Sequence, residues 1–521
     1  MHPTNRRSFM ADVGKGMLLA SVGSSLASEW GFSNGLAAES TKGLTFGSLE
    51  PLVSLLQQTP ANKLLPAVVQ EIHKGTELKT LVAAAALANA RTFGGQDYIG
   101  FHTFMALAPA WHMSQELPAA MKPLPILKVL YRNTQQIQDT GGHKHEVLHM
   151  IEASQAAGAA PTGETVRECT RNIDFDAAEQ AFAVIAKNQP AEAFNQLQYA
   201  MQDEADVHRV VLAWRAWDTL NLTGQEHAHT LLRQSVRYCV KSEKHQCDRN
   251  KAAHELRINS SSHIRKVLPR LLDQYQLLSK PIGTRRMDDA WIESMSNTIV
   301  TSSSEKAADA VAAALADGVS PDDVGEAISL AANALLLRDT AARTHGDSKG
   351  VHASDSANAW RHIAQVSNHR NAVASLIVGA FHTAGQGAGL HQQALPFAEH
   401  LEKVTSDDPA AILKQIEGAI RENNQTLACA GVHRFGQLGF ESRAVFDLML
   451  KFAISEDGRL HAEKYYRTVS EEFATMRPAF RWRELTALAR VTASSFAYNR
   501  FDKHGFRAPG YEEACQLLGI S

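Results

Sequence analysis

The sequence has no surplus of basic residues: 52 Lys and Arg stand against 55 Asp and Glu, for a formal net charge of −3. Nothing in that balance is suited to a phosphate backbone, so nucleic acid is excluded as an expected partner. No mature segment has the uninterrupted apolar length of a bilayer crossing, so no stable membrane anchor is expected. The five cysteines, Cys169, Cys239, Cys247, Cys429 and Cys515, include no CxxC pair. That excludes a zinc-ribbon or thioredoxin-like site. The odd number leaves at least one thiol unpaired within the chain. Cys239 and Cys247 either pair in an oxidising compartment or stand as buried helical cysteines. Long alternating runs of Val, Ile and Thr are missing, and with them the signature of strands. There is no phosphate loop, no dinucleotide fingerprint, no GxSxG and no CxxCH haem attachment. Haem held without a covalent link stays open.

What is present is a helical pattern, nearly continuous beyond about residue 45. Leu78 to Arg91 is rich in Ala and Leu, with Thr76 placed as an N-cap. Ser320-Pro321-Asp322-Asp323 reads as a helix start: a capping hydroxyl, proline in the first turn, and acids at the positive end of the dipole. With 521 residues the chain is too long for one small core. The stretch 279–304 changes character, with Pro281, Gly283, Arg285, Arg286 and the run Thr301 to Ser304, and reads as a boundary. The expected fold is all-α: two pseudo-repeated multi-helical halves, 45–278 and 305–515, packed as one large globular unit.

Near the start, Asn5-Arg6-Arg7-Ser8-Phe9-Met10 is followed by a mildly apolar stretch from Gly14 to Leu26 and by Leu36-Ala37-Ala38. This resembles a twin-arginine signal peptide over residues 1–38. The resemblance implies passage through the twin-arginine export machinery to the periplasm or beyond, in a folded state and often with a cofactor already inserted.

The two halves repeat short patterns in the same order. Ala90-Arg91-Thr92-Phe93-Gly94 and Gly100-Phe101-His102 match Ala342-Arg343-Thr344-His345-Gly346 and Gly350-Val351-His352. Gly141 to His145 resembles Gly387 to His391, and Val207-His208-Arg209 matches Val432-His433-Arg434. Arg237 to Glu243 resembles Lys451 to Glu456, with His245 or His254 following the first and His461 the second.

The chain holds 23 histidines, many for its length. Imidazole binds iron, copper or zinc through one nitrogen while the other takes a supporting hydrogen bond. The repeat therefore singles out His102, His145 and His208 against His352, His391 and His433, with His461 added, as candidate ligands. A second pattern is local. His145-Glu146-Val147-Leu148-His149 is HExxH; on a helix, His145 and His149 share a face and hold one zinc, with Glu146 as general base for a metal-activated water. Neither a metzincin-like third histidine nor a later glutamate ligand completes it. ExxH pairs at Glu146–His149 and Glu226–His229 also fit a di-iron carboxylate bundle. Asp203, Glu204 and Asp206 read as a solvated acidic helix face. The expectation is an exported metal-dependent oxidoreductase on iron or copper, acting on a small-molecule substrate. A zinc hydrolase using Glu146 is the alternative, and a helical scaffold without chemistry is a third.

Overall fold

A computed structural model describes residues 43–151, 153, 160–187, 189–339, 349–387, 389–456, 460–498 and 508–520. The twin-arginine-like segment and Arg343 to Gly346 lie outside them. Among the described residues the fold is helical and carries no strand; isolated bridges pair Gly43 with His149 and Arg285 with Val319. No described helix is long and apolar enough to cross a membrane.

The local rules account for the helices that matter. The Leu78–Phe93 helix is Ala-rich and buried along nearly its whole length, and Gly94 ends it in a left-handed conformation. Thr76 does not cap it: its hydroxyl donates to Glu71, and Glu77 precedes the helix without a side-chain cap. Ser320 does cap the Pro321–Arg338 helix, accepting from the Asp322 amide, with Pro321 and two acids in the first turn. Asp97 caps Tyr98–Gln115 and Asp206 caps Val207–Thr223 in the same way.

One hydrophobic core runs from Phe46 to Ala514 and joins helices from both ends of the chain. The 279–304 stretch is not a bare linker. It contains the Asp289–Thr301 helix, which packs on Pro321–Arg338. All five cysteines are free thiols. Cys239 and Cys247 lie on the same helix, Ala228–Asn259, which rules out the pairing considered from sequence.

Candidate functional site

Four helices form a closed cycle. Tyr98–Gln115 packs against Val207–Thr223 and His461–Thr475, and Lys349–Val366 packs against the same two. Each helix brings one histidine from its first or second turn: His102, His208, His352 and His461. Their rings form a ring of their own. Centroids are 5.0 Å apart for His102–His208, 5.6 Å for His102–His461, 6.3 Å for His208–His352 and 6.5 Å for His352–His461.

All four helices run the same way from this ring. His208 meets His352, and further along Trp214 stacks on His362 at 5.1 Å. Thr468 Oγ1 donates to Asp355 at 2.9 Å, and Asn358 Nδ2 then donates to Glu472 at 2.9 Å. Two glycines bring the histidine helices close to their neighbours. A Cβ on Gly350 would stand on the backbone of Leu336, and one on Gly100 would run into the Phe93 ring. Each sits two residues before a ring histidine, which explains why the sequence repeats Gly-x-His.

The polar contacts orient the ring. His102 is 5% exposed. Its Nδ1 lies 2.6 Å from the Tyr98 carbonyl, and its buried Nε2 has no hydrogen-bond partner. Asp206 accepts from the His208 and Arg209 amides and from the Tyr238 hydroxyl, and lies 3.8 Å from His208 Nδ1. Phe101 stacks on His102 at 4.8 Å, and the exposed Tyr98 ring covers the same imidazole at 4.4 Å. Lys464 and Asp355, both buried, follow His461 and His352 by one helical turn on the same faces.

Burial is the main force on every titration here. It pushes His102 well below the ordinary imidazole value, and Lys464 and His208 push further against the opposing Tyr98 carbonyl. It brings His208 to about 4, aided by His352 and Lys464 and opposed by Asp206. It lowers the Lys464 ammonium to about 8 despite Asp355 and Glu463. His102 and His208 are therefore neutral at pH 7 and keep a lone pair.

Below the ring, the bundle interior holds a charged layer. Arg215 and Arg467 reach Glu471 at 3.2 and 2.8 Å, and Arg361 meets Glu472 at 2.5 Å. Burial alone would raise the Glu471 carboxyl, but Arg215, Arg467 and His362 hold it at about 2.

The other sequence candidates lie elsewhere. His145 ends a 3-10 turn, Gly142–His145, and is exposed; the chain continues extended from Glu146. The helix that HExxH requires does not form, because Val147 and Leu148 donate their amides to the Arg91 carbonyl instead. Glu146 is tied to Arg91 Nε at 2.9 Å and to His143 Nδ1 at 2.5 Å. His149 pairs with Gly43 in a bridge, and its carbonyl accepts from Arg233 at 2.8 Å. His391 is exposed in the segment after His369–Gly385. His433 is half-buried on Gln425–Gln437, which packs on Pro409–Arg421 and Pro478–Tyr498. Asp203, Glu204 and Asp206 are not a solvated face. Asp203 binds Arg171 at 2.7 Å, Glu204 binds Arg257 at 2.7 Å, and Asp206 is a helix cap.

In a tetrahedral site with metal–nitrogen bonds of about 2.0–2.1 Å, imidazole centroids lie roughly 5 Å apart. The His102–His208 edge meets that spacing, and the wider edges exceed it. Among the described residues no group of three or more His, Cys, Asp or Glu stands ready to hold a metal ion as placed. Comparison with known proteins finds no matching family model, no similar curated protein and no similar solved structure.

Proposed function

We propose that this protein is an exported metal-binding oxidoreductase whose four-histidine ring holds a redox-active transition metal, iron or copper before zinc. The observation that carries the reading is the convergence of His102, His208, His352 and His461 from four helices, with the unpartnered Nε2 of His102 buried inside. A buried imidazole nitrogen without a partner is costly, and a metal ion satisfies it. The Tyr98 carbonyl and the Asp206 carboxylate are the supporting contacts that ligating histidines use. When bound, the ion supplies electron transfer. The chain's own residues hold it, exclude water from one side through Phe101, and set Tyr98 and Tyr238 within 6.2 Å of His208.

The scaffold reading expected the singled-out histidines to scatter: His145, His391 and His433 do lie apart, whereas His102, His208, His352 and His461 come together. The hydrolase reading through Glu146 has no support in the local geometry. The test is elemental analysis of native and metal-reconstituted protein. Stoichiometric iron or copper that disappears in a His102→Ala/His352→Ala double variant supports the proposal. Absence of metal from both preparations overturns it.

The ring also supports a gene duplication, with a pairing different from that read in the sequence. His102 and His352 correspond as expected, but the counterpart of His208 is His461 rather than His433. From 102 to 208 is 106 residues and from 352 to 461 is 109. The neighbours agree: Leu78–Phe93 packs on Tyr98–Gln115 as Pro321–Arg338 packs on Lys349–Val366, and Val207–Thr223 packs on Ala228–Asn259 as His461–Thr475 packs on Pro478–Tyr498.

A further inference from the structure

Away from the ring, a cavity of about 310 Å³ opens among four helices: Gly163–Arg171, Pro190–Met201, Ile264–Gln274 and the start of His369–Gly385. None of its lining residues is used by the metal reading. We propose that it binds a small monocarboxylate with an apolar body.

The anchor is Arg370. Its guanidinium carbon lies 3.9 Å from the Tyr199 ring centroid, a cation–π contact that holds it in place. Its hydrogen-bond acceptors are the amide oxygens of Gln202 and Asn371. Among the described residues no carboxylate comes within salt-bridge distance of it. Most buried arginines of this chain do have one: Arg91, Arg209, Arg215 and Arg361 each pair with a glutamate. A largely buried cation without a counter-ion is expensive, and a guanidinium fork matches a carboxylate through two parallel hydrogen bonds.

Gln202 adds a donor. It is 2% exposed, gives its oxygen to Arg370, and leaves its amide nitrogen without a partner. The nearby acids are not competitors for Arg370. Glu164 is taken by Arg167, and Asp203 by Arg171 and Arg265. Arg167 and Arg265 line the cavity with the acids they pair, and the remaining lining acid, Asp273, is exposed. Among the described lining residues Arg370 is therefore the one largely buried cation left to answer, which suits a monoanion better than phosphate. The opposite wall is apolar: Ile264, Leu268 and Leu272 lie on one face of their helix, and Leu278 is half exposed beside them. The cavity is at the lower end of the size range for small-molecule sites. Charged head and greasy wall together specify an aliphatic or aromatic monocarboxylate.

Calorimetric titration of the full mature protein with octanoate, octanamide and inorganic phosphate tests this. Octanoate is expected to bind at least tenfold more tightly than octanamide, and phosphate is expected neither to bind nor to compete. Arg370→Met should weaken octanoate at least tenfold, and Leu272→Ala several-fold, with unchanged far-ultraviolet dichroism. Equal affinity for octanoate and octanamide, displacement by phosphate, or no heat at millimolar octanoate overturns the proposal. The first comparison needs no variant, so it stands even if Arg370→Met fails to fold.

Discussion

Tyr98 fixes the tautomer of His102. The Tyr98 carbonyl, 2.6 Å from Nδ1, can only accept, so Nδ1 carries the proton and the buried Nε2 carries the lone pair. If that lone pair ligates metal, His102→Ala should reduce bound metal at least tenfold. His145→Ala, His391→Ala and His433→Ala should leave the stoichiometry unchanged, since those side chains stand outside the ring. Inductively coupled plasma analysis of the four variants checks this. Equal loss across all four would break the assignment.

Gly350 sets the position of His352. A methyl group there collides with the Leu336 backbone, which has no rotamer to relieve it. Gly350→Ala should cost about 1–3 kcal/mol by overpacking. It should also weaken metal binding, because it tilts the helix that carries His352. Urea unfolding and metal titration on the same sample read the two effects.

Glu146 serves the Arg91 pocket. Arg91 is 1% exposed and also bonds Glu50 at 2.8 Å and Gln57. Glu146→Gln should lower stability by about 1–3 kcal/mol, the cost of weakening a buried charged hydrogen bond, and should leave metal content as it was. A variant of full stability with hydrolysis abolished would instead restore the HExxH reading.

Acid should destabilise the metal-free protein in a defined window. His208 and His382 titrate near 4 in the fold, both depressed first by burial, against the ordinary 6.5. The unfolded chain takes up protons between 6.5 and 4 that the native state refuses. Their stabilising contribution is therefore full above pH 6.5 and is lost as pH falls toward 4, of order 3 kcal/mol for each group. Glu471, held near 2 by Arg215, adds a loss below about pH 4.5. Above pH 6.5 the sign is opposite. Burial raises the Glu484 carboxyl to about 8, so the native state takes up a proton there and urea midpoints should rise a little from pH 8 to 6.5. Below 6.5 the histidines outnumber it and midpoints should fall. A midpoint constant down to pH 5 would contradict the buried, neutral state of these imidazoles.

The helical class was legible from residue pattern alone, as was the Ser320 cap, because both rest on local rules. All four ring histidines were among the sequence candidates, alongside His145, His149, His391 and His433, which stand outside the ring. His102 and His352 stood out through the Gly-x-His repeat, and that repeat has a cause in Gly100 and Gly350 packing on their neighbours. Val207-His208-Arg209 and Val432-His433-Arg434 match as strings, yet His208 stands in the ring and His433 on Gln425–Gln437 outside it. String identity carries no information about which helices meet. The HExxH motif misled for a related reason: its segment gives its amides to the end of another helix, a long-range choice that local pattern does not encode. Lys464 and Asp355 went unnoticed, although each follows a ring histidine by one helical turn. A search for charged residues at that spacing would have found them.

The four histidine helices share one direction, and this has an electrostatic consequence. Helices that alternate in direction cancel their dipoles; these four add them, each bringing about half a positive charge to its N-terminal end. The ring therefore sits at the positive ends of these four helices, with Lys464 beside it, while the C-terminal ends of Leu78–Phe93 and Pro321–Arg338 reach the same level from outside. A proton arriving on any of these imidazoles meets that field in a place water screens poorly. Burial first, with Lys464 and the neighbouring imidazoles, keeps His102 and His208 deprotonated, and their lone pairs remain on offer at pH values where exposed imidazoles have already been titrated.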